Sequence, residues 1–80
     1  MGRMSTYKIR VVNSDFEARE EVEGGDIEAA RLQSLRGVLR IGSDELCKGA
    51  TNFFGAEVSI EFDGEVKERF MVAMGHSPLQ

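Results

Sequence analysis

Apolar residues recur every three or four positions between Asp26 and Lys48, in the longest stretch of the chain with helical periodicity. Asp26 can cap this helix, because its carboxylate can accept hydrogen bonds from free first-turn amides, and Gly49 can end it. We therefore predict one helix that continues through Gly42, although glycine costs about 1 kcal/mol in a helix interior. Its apolar stripe is Ile27, Ala30, Leu35, Val38, Leu39, Gly42 and Leu46.

Segments on both sides of the helix alternate apolar and polar residues with a period of two, as strands of a half-buried sheet do. They run from Tyr7 to Val22 and from Ala56 to Met74. The sequence therefore predicts an α+β domain in the order β-β-α-β-β, with one long helix packed on an antiparallel four-stranded sheet. The domain would occupy residues 6–74, between a disordered N-terminus at residues 1–5 and an irregular tail at residues 75–80.

The first hairpin has a turn signal at Asn13-Ser14, since both side chains can hydrogen-bond to the local backbone. A two-residue loop there places Arg10 opposite Glu17, a favourable cross-strand pair. The second strand is rich in charge and poor in apolar residues, which is typical of an edge strand. We therefore expect this strand at one edge of the sheet.

The second hairpin has a turn signal at Asp63-Gly64. A two-residue loop would pair Phe62 with Glu65 and put the apolar residues of the two strands on opposite faces. A three-residue loop with Gly64 in the left-handed conformation restores one shared apolar face, with Val66 on it. We therefore predict the three-residue loop.

The charge of the chain speaks against nucleic-acid binding. Lys and Arg number 10 against 14 Asp and Glu, which gives a net charge of -4, whereas proteins that bind phosphate backbones carry a basic surface. RNA-recognition modules also stack bases on exposed aromatic side chains of a sheet. The strand aromatics here share the parity of the core residues: Tyr7, Phe16, Phe62 and Phe70.

The residues that most often carry chemistry are isolated in this sequence. Cys47 is the single cysteine, and we expect it to be a partly buried structural thiol. His76 is the single histidine, and we expect it to be a residue of the tail without a metal or acid-base role. We predict no catalytic residue, no metal and no cofactor. With one cysteine and no long apolar run, we also expect a cytoplasmic protein that is not inserted in a membrane.

Capping and turn residues give the chain a resemblance to a known family. They are Glu23-Gly24, the helix start Asp26-Ile27-Glu28-Ala29-Ala30-Arg31, and the closing Glu57-Val58 and Asp63-Gly64. With these residues the chain resembles short, uncharacterised bacterial proteins that share a domain of unknown function. The resemblance implies the same strand, helix and closing-hairpin layout and carries no catalytic residue.

Apolar residues that do not fit the predicted core indicate an interface. Phe53 and Phe54 cannot both face the core of an extended segment, and Met71 has outward parity. Ser34, Gly37 and Ile41, on the side of the helix away from the main stripe, could admit a second helix closely. We therefore predict a non-enzymatic binding module that forms a homo-oligomer, a dimer in the simplest case, with a further protein partner possible.

Two alternatives remain open at this stage. One is a binder of a small ligand whose pocket forms only in the oligomer. The other is an enzyme with a cleft at the subunit junction, lined by Glu20, Arg36 or Arg40. The alternative to an interface at Phe53 and Phe54 is that one of the two side chains fills the open end of the sheet.

Overall fold

The computed structural model describes residues 6–49 and 51–79, so the N-terminal segment predicted to be disordered lies outside the described residues. One antiparallel sheet in the order β2-β1-β3-β4 carries a single helix on one face. The predicted α+β fold is confirmed, as is the edge position of β2. The elements are β1 (Thr6–Val12), β2 (Glu17–Glu23), α1 (Ile27–Cys47), β3 (Phe53–Phe62) and β4 (Glu65–Gly75).

The helix α1 begins and ends as its capping residues predict. Asp26 Oδ1 accepts a hydrogen bond from the Ala29 amide at 2.9 Å, and Gly49 has a φ of +82° just after the C-terminal cap. The helix is continuous through Gly42. Its buried residues, four apart, are Ala30, Ser34, Val38 and Gly42.

The predicted apolar stripe of α1 is wrong at Leu39, whose surface is 45 % exposed. A spacing of four residues advances about 40° past a full turn at each step, so the buried line drifts around the helix. Ser34 therefore comes to face the sheet, and Leu39 is left on the flank. The buried Ser34 hydroxyl donates to the carbonyl of Arg31 at 2.7 Å, which satisfies it.

The predicted register of the first hairpin is wrong by two residues. The loop spans four residues, 13–16, so that Val12 pairs with Glu17 and Arg10 lies opposite Arg19. The Asn13 side chain accepts hydrogen bonds from the amides of Asp15 and Phe16 at 2.7 and 3.0 Å and stabilises the longer loop. Since the shift is an even number of residues, each side chain keeps its predicted face.

The predicted three-residue loop of the second hairpin is also wrong. Phe62 pairs with Glu65 across a two-residue turn, and both turn residues, Asp63 and Gly64, have positive φ. Glu61 pairs with Val66, but the next pair is Ile60 with Glu68. Lys67 is therefore an extra residue in β4 and forms a β-bulge, which shifts the register by one residue. Val66 therefore points to the outer face of the sheet instead of the core.

The same bulge returns the rest of β4 to the predicted faces. Phe70, Val72 and Met74 contact or border the core beneath α1, while Met71 points outward. β4 ends at Gly75, and residues 76–79 form no helix or strand. The core lies between α1 and the two central strands, where its largest fully buried apolar side chains are Ile9, Val38, Val58 and Ile60.

Candidate functional site

The outer face of the sheet, which α1 does not cover, is a charged surface in which several charges are paired. Glu17 Oε2 accepts hydrogen bonds from Arg10 Nε at 2.7 Å and from Arg19 Nε at 2.8 Å. These two hydrogen bonds lower the pKa of Glu17 to about 2, and the bond from Arg10 has the larger effect. Arg69 forms an ion pair with Glu57 on the same face. Among the described residues, the four cations of this face are balanced by at least four glutamates, so the face offers no surplus of cations for an anionic ligand: Lys8, Arg10, Arg19 and Arg69 against Glu17, Glu21, Glu57 and Glu61.

The two adjacent phenylalanines point to opposite sides of β3. Phe54 is 4 % exposed and belongs to the core beneath α1, whereas Phe53 is 60 % exposed on the outer face. The Phe53 ring lies over two glycines, since a Cβ added to Gly55 would be 3.2 Å from its Cε2 and one added to Gly75 3.5 Å from its Cδ1. The expectation that the two phenylalanines cannot both face the core is confirmed. Because Phe54 is buried in the single chain, it is not available to the predicted interface.

Five large apolar side chains of the described elements are exposed, three on the outer face of the sheet and two on α1. Met71 is 72 % and Val66 55 % exposed on β4, and Phe53 lies on β3 beside the end of β4. Two exposed leucines of α1, at 50 and 45 %, add to them. We call this set the β4-side surface: Leu32, Leu39, Phe53, Val66 and Met71.

The position of the two leucines on α1 follows from contacts on either flank of the helix. Arg31 of α1 bonds Glu68 of β4 at 2.8 Å, whereas Gly37 faces Glu20 of β2. At about 100° per residue, Leu32 and Leu39 lie about 80 to 100° beyond Arg31, on the side away from Gly37. Leu39 therefore lies on the β4 flank of α1. Leu32 points away from the sheet, because the buried Ala30 and Ser34 each lie about 160° around the helix from it. Leu32 was not identified from the sequence, although its spacing of seven from Leu39 places both leucines on one side of the helix.

The two edges of the sheet differ in composition. β2 carries five charged residues among its seven, a common protection of an edge strand against pairing with other chains. β4 is charged only in its first half, and its last six residues, from Phe70 to Gly75, carry no charge. The β4 edge is therefore the edge of the sheet that lacks this protection.

The other two predicted interface residues lie on the opposite side of α1. Gly37 and Ile41 are half-buried and line a groove of about 130 Å³ between the helix and β2. Ile41 packs against the core, and Ala18 and Glu20 form the facing wall. The two residues therefore border this groove instead of forming an exposed helix face, and the structure does not bring them together with Phe53 and Met71.

The residues considered for chemistry are not brought together. Glu20 lies on β2, while Arg36 and Arg40 are exposed on α1, and no salt bridge among the described residues joins Glu20 to either arginine. Cys47, at the last position of α1, is exposed and not partly buried as expected. His76 is exposed just beyond β4.

The described residues contain no group of three or more His, Cys, Asp or Glu side chains that could hold a metal ion. Within the same part of the chain, no helix combines the length and the apolar composition needed to cross a membrane. Comparison of the chain with protein-family models, with curated proteins and with solved structures finds no match. The resemblance to the uncharacterised bacterial family therefore stays a prediction.

Proposed function

We propose that this chain is a non-enzymatic interaction module that works as a homo-oligomer, assembled on its β4 side. The observation that carries the proposal is the distribution of exposed apolar surface. The β4-side surface holds every exposed large apolar side chain of the described residues except Leu79 in the tail. Three of its members, Phe53, Val66 and Met71, share the outer face of β3 and β4, and exposed apolar patches commonly mark protein-protein interfaces.

The size of the core supports the same proposal. A chain of 80 residues buries only about 60 % of the surface that its unfolded form exposes. The side chains buried almost completely are small or medium in size, and the largest are Ile9 and Ile60. Association of subunits on the β4 side covers part of this apolar surface without a disulfide or a metal. We place the module in the cytoplasm, where its single thiol stays reduced.

The mass of the chain in solution tests the proposal. Light scattering across a hundredfold dilution should give a multiple of the chain mass of 8.9 kDa. Met71→Lys should lower that mass, because it places a charge in the β4-side surface, and Glu21→Lys on β2 is the matched control. A single mass of one chain at every concentration would overturn the proposal.

A further inference from the structure

The backbone of β4 offers a second copy of this chain a defined set of hydrogen-bonding groups. His76 N–H donates to Asn52 C=O at 3.0 Å, and this pair continues the register that places Phe53 opposite Gly75. In an antiparallel ladder, hydrogen-bonded pairs alternate with pairs whose N–H and C=O groups point away from the partner strand. The residues whose backbone groups point to the open edge are therefore Arg69, Met71, Ala73 and Gly75.

The bulge limits the part of β4 that can accept another strand. Lys67 interrupts the ladder and, with Glu65 and Glu68, gives the first half of β4 its charge. The regular part therefore runs from Glu68 to His76, whose amide still bonds Asn52, and its middle residue is Val72. A strand that pairs with the whole of this part makes the largest number of hydrogen bonds when it is centred on Val72.

We propose, on the basis of the proposed function, that two copies pair their β4 edges antiparallel about a twofold axis at Val72, forming one eight-stranded sheet with both helices on the same face. Met71 then lies opposite Ala73 of the second copy, and the outward backbone groups of both residues meet. Arg69 lies opposite Gly75 of the second copy. All outward N–H and C=O groups between residues 69 and 75 find partners.

Charge complementarity selects a second copy as the occupant of this edge. In the proposed register no charged residue of β4 from residue 68 onward faces a like charge, because Arg69 faces a glycine and Glu68 faces His76 of the second copy. Pairing through β2 would instead oppose two strands with four glutamates each. Like charges directly opposite each other destabilise a strand pair, so the β4 edge is the edge at which this chain can pair with itself.

The leucines of α1 agree with the same axis. α1 runs along β4, since Arg31 contacts Glu68 and a Cβ at Gly42 would be 2.9 Å from Met74 Sδ. An advance of eleven residues along α1, from Arg31 to Gly42, thus matches an advance of six along β4, from Glu68 to Met74. By interpolation, Val72 lies at the level of helix residues 38–39. Leu39 of each copy is therefore beside the axis, where the two antiparallel helices face each other.

Disulfide formation between single cysteines reads the register directly. In chains that carry Cys47→Ser, Val72→Cys pairs with itself across the axis, at a Cα–Cα distance of about 4.5 Å. Oxidised glutathione should therefore convert it to a disulfide-linked dimer. Met71→Cys and Ala73→Cys each lie about 8 Å from their own copies, beyond the roughly 7 Å limit for a disulfide. Alone, each should form at least tenfold less dimer than Val72→Cys.

A mixture of the last two variants keeps the test valid if Val72→Cys fails to fold. Both positions are exposed, and the proposed register places residue 71 directly opposite residue 73 of the second copy, so the mixture should form a mixed disulfide. Efficient self-linking of Met71→Cys or Ala73→Cys, or no link in a chain that light scattering shows to be a dimer, would overturn this geometry and leave the proposed function standing. A monomer by light scattering would overturn both.

Discussion

Gly42 of α1 lies so close to Phe54 of β3 that a Cβ on Gly42 would be 2.7 Å from Phe54 Cδ2. Gly42→Ala should therefore destabilise the chain. Overpacking costs about 1–3 kcal/mol, which exceeds the gain of about 1 kcal/mol that alanine brings to a helix interior. Urea unfolding of the two chains measures the difference.

Gly37→Ala is the matched control on the same helix. The nearest atom to a Cβ at this position is Glu20 Oε1 at 3.9 Å, so the helix gain should appear alone, as up to about 1 kcal/mol of added stability. Equal effects of the two substitutions would contradict the close contact between α1 and β3.

Truncation of the two adjacent phenylalanines should separate core from surface. Phe54→Ala should cost about 3–5 kcal/mol, as for other buried phenylalanines, and can leave a chain of this size largely unfolded. Phe53→Ala should change the free energy of unfolding by less than about 1 kcal/mol, since its ring is mostly exposed. Thermal unfolding followed by circular dichroism ranks the two, and the reverse order would contradict the orientation of β3.

Glu17 should stay ionised to a much lower pH than an ordinary glutamate. Hydrogen bonds from Arg10 and Arg19 lower its pKa from 4.5 to about 2. Since the unfolded chain binds this proton at the higher pH, the stabilising contribution of Glu17 is complete above pH 4.5 and is lost as the pH falls toward 2.

Carboxyl chemical shifts in an NMR titration measure this pKa. Arg10→Ala should raise it toward 4.5, because the largest cause of the shift is removed. Added salt should also raise it, since the group is exposed to solvent. An unchanged midpoint in Arg10→Ala would exclude the bridging role of Glu17 between the two arginines.

Leu39→Asp should weaken self-association through the helix side of the interface. The proposed axis brings Leu39 of two copies beside each other, so two carboxylates would meet where apolar side chains pack. We expect the dissociation constant of the dimer to rise at least tenfold, which corresponds to about 1.4 kcal/mol. Sedimentation equilibrium measures it.

Gln33→Asp is the matched control for this substitution. Gln33 is also exposed on α1, but it lies on the side away from β4, so the same new charge should leave the dissociation constant within about threefold. Equal weakening by both substitutions would indicate a general effect of charge and would contradict the placement of Leu39 at the axis.

The period-two and helical patterns of the sequence were sufficient to predict the element order, the continuous helix and the face of most strand residues. Each face depends only on local alternation, which an even register shift leaves intact. The turns could not be predicted in the same way. Asn13 stabilises a four-residue loop through its own side chain, and the odd residue of the second hairpin is placed at Lys67, not in the turn.

The candidate interface was only partly predictable. The outward parity of Met71 and the opposed directions of Phe53 and Phe54 followed from strand geometry. The exposure of Leu39 did not, because it depends on how the helix is rotated over the sheet. The position of β4 at an edge depends on the strand order, which the hydrophobic pattern does not specify.

Amide hydrogen exchange at Met71 and Ala73 tests the pairing of β4 edges most directly. In a single chain the N–H groups of both residues point to the open edge, while the N–H of Val72 is bonded to β3. In the proposed dimer all three amides are bonded. We predict that Met71 and Ala73 exchange as slowly as Val72 at concentrations at which the dimer forms, and faster on dilution. Fast exchange at both residues beside a protected Val72, in a sample shown to be dimeric, would contradict the account.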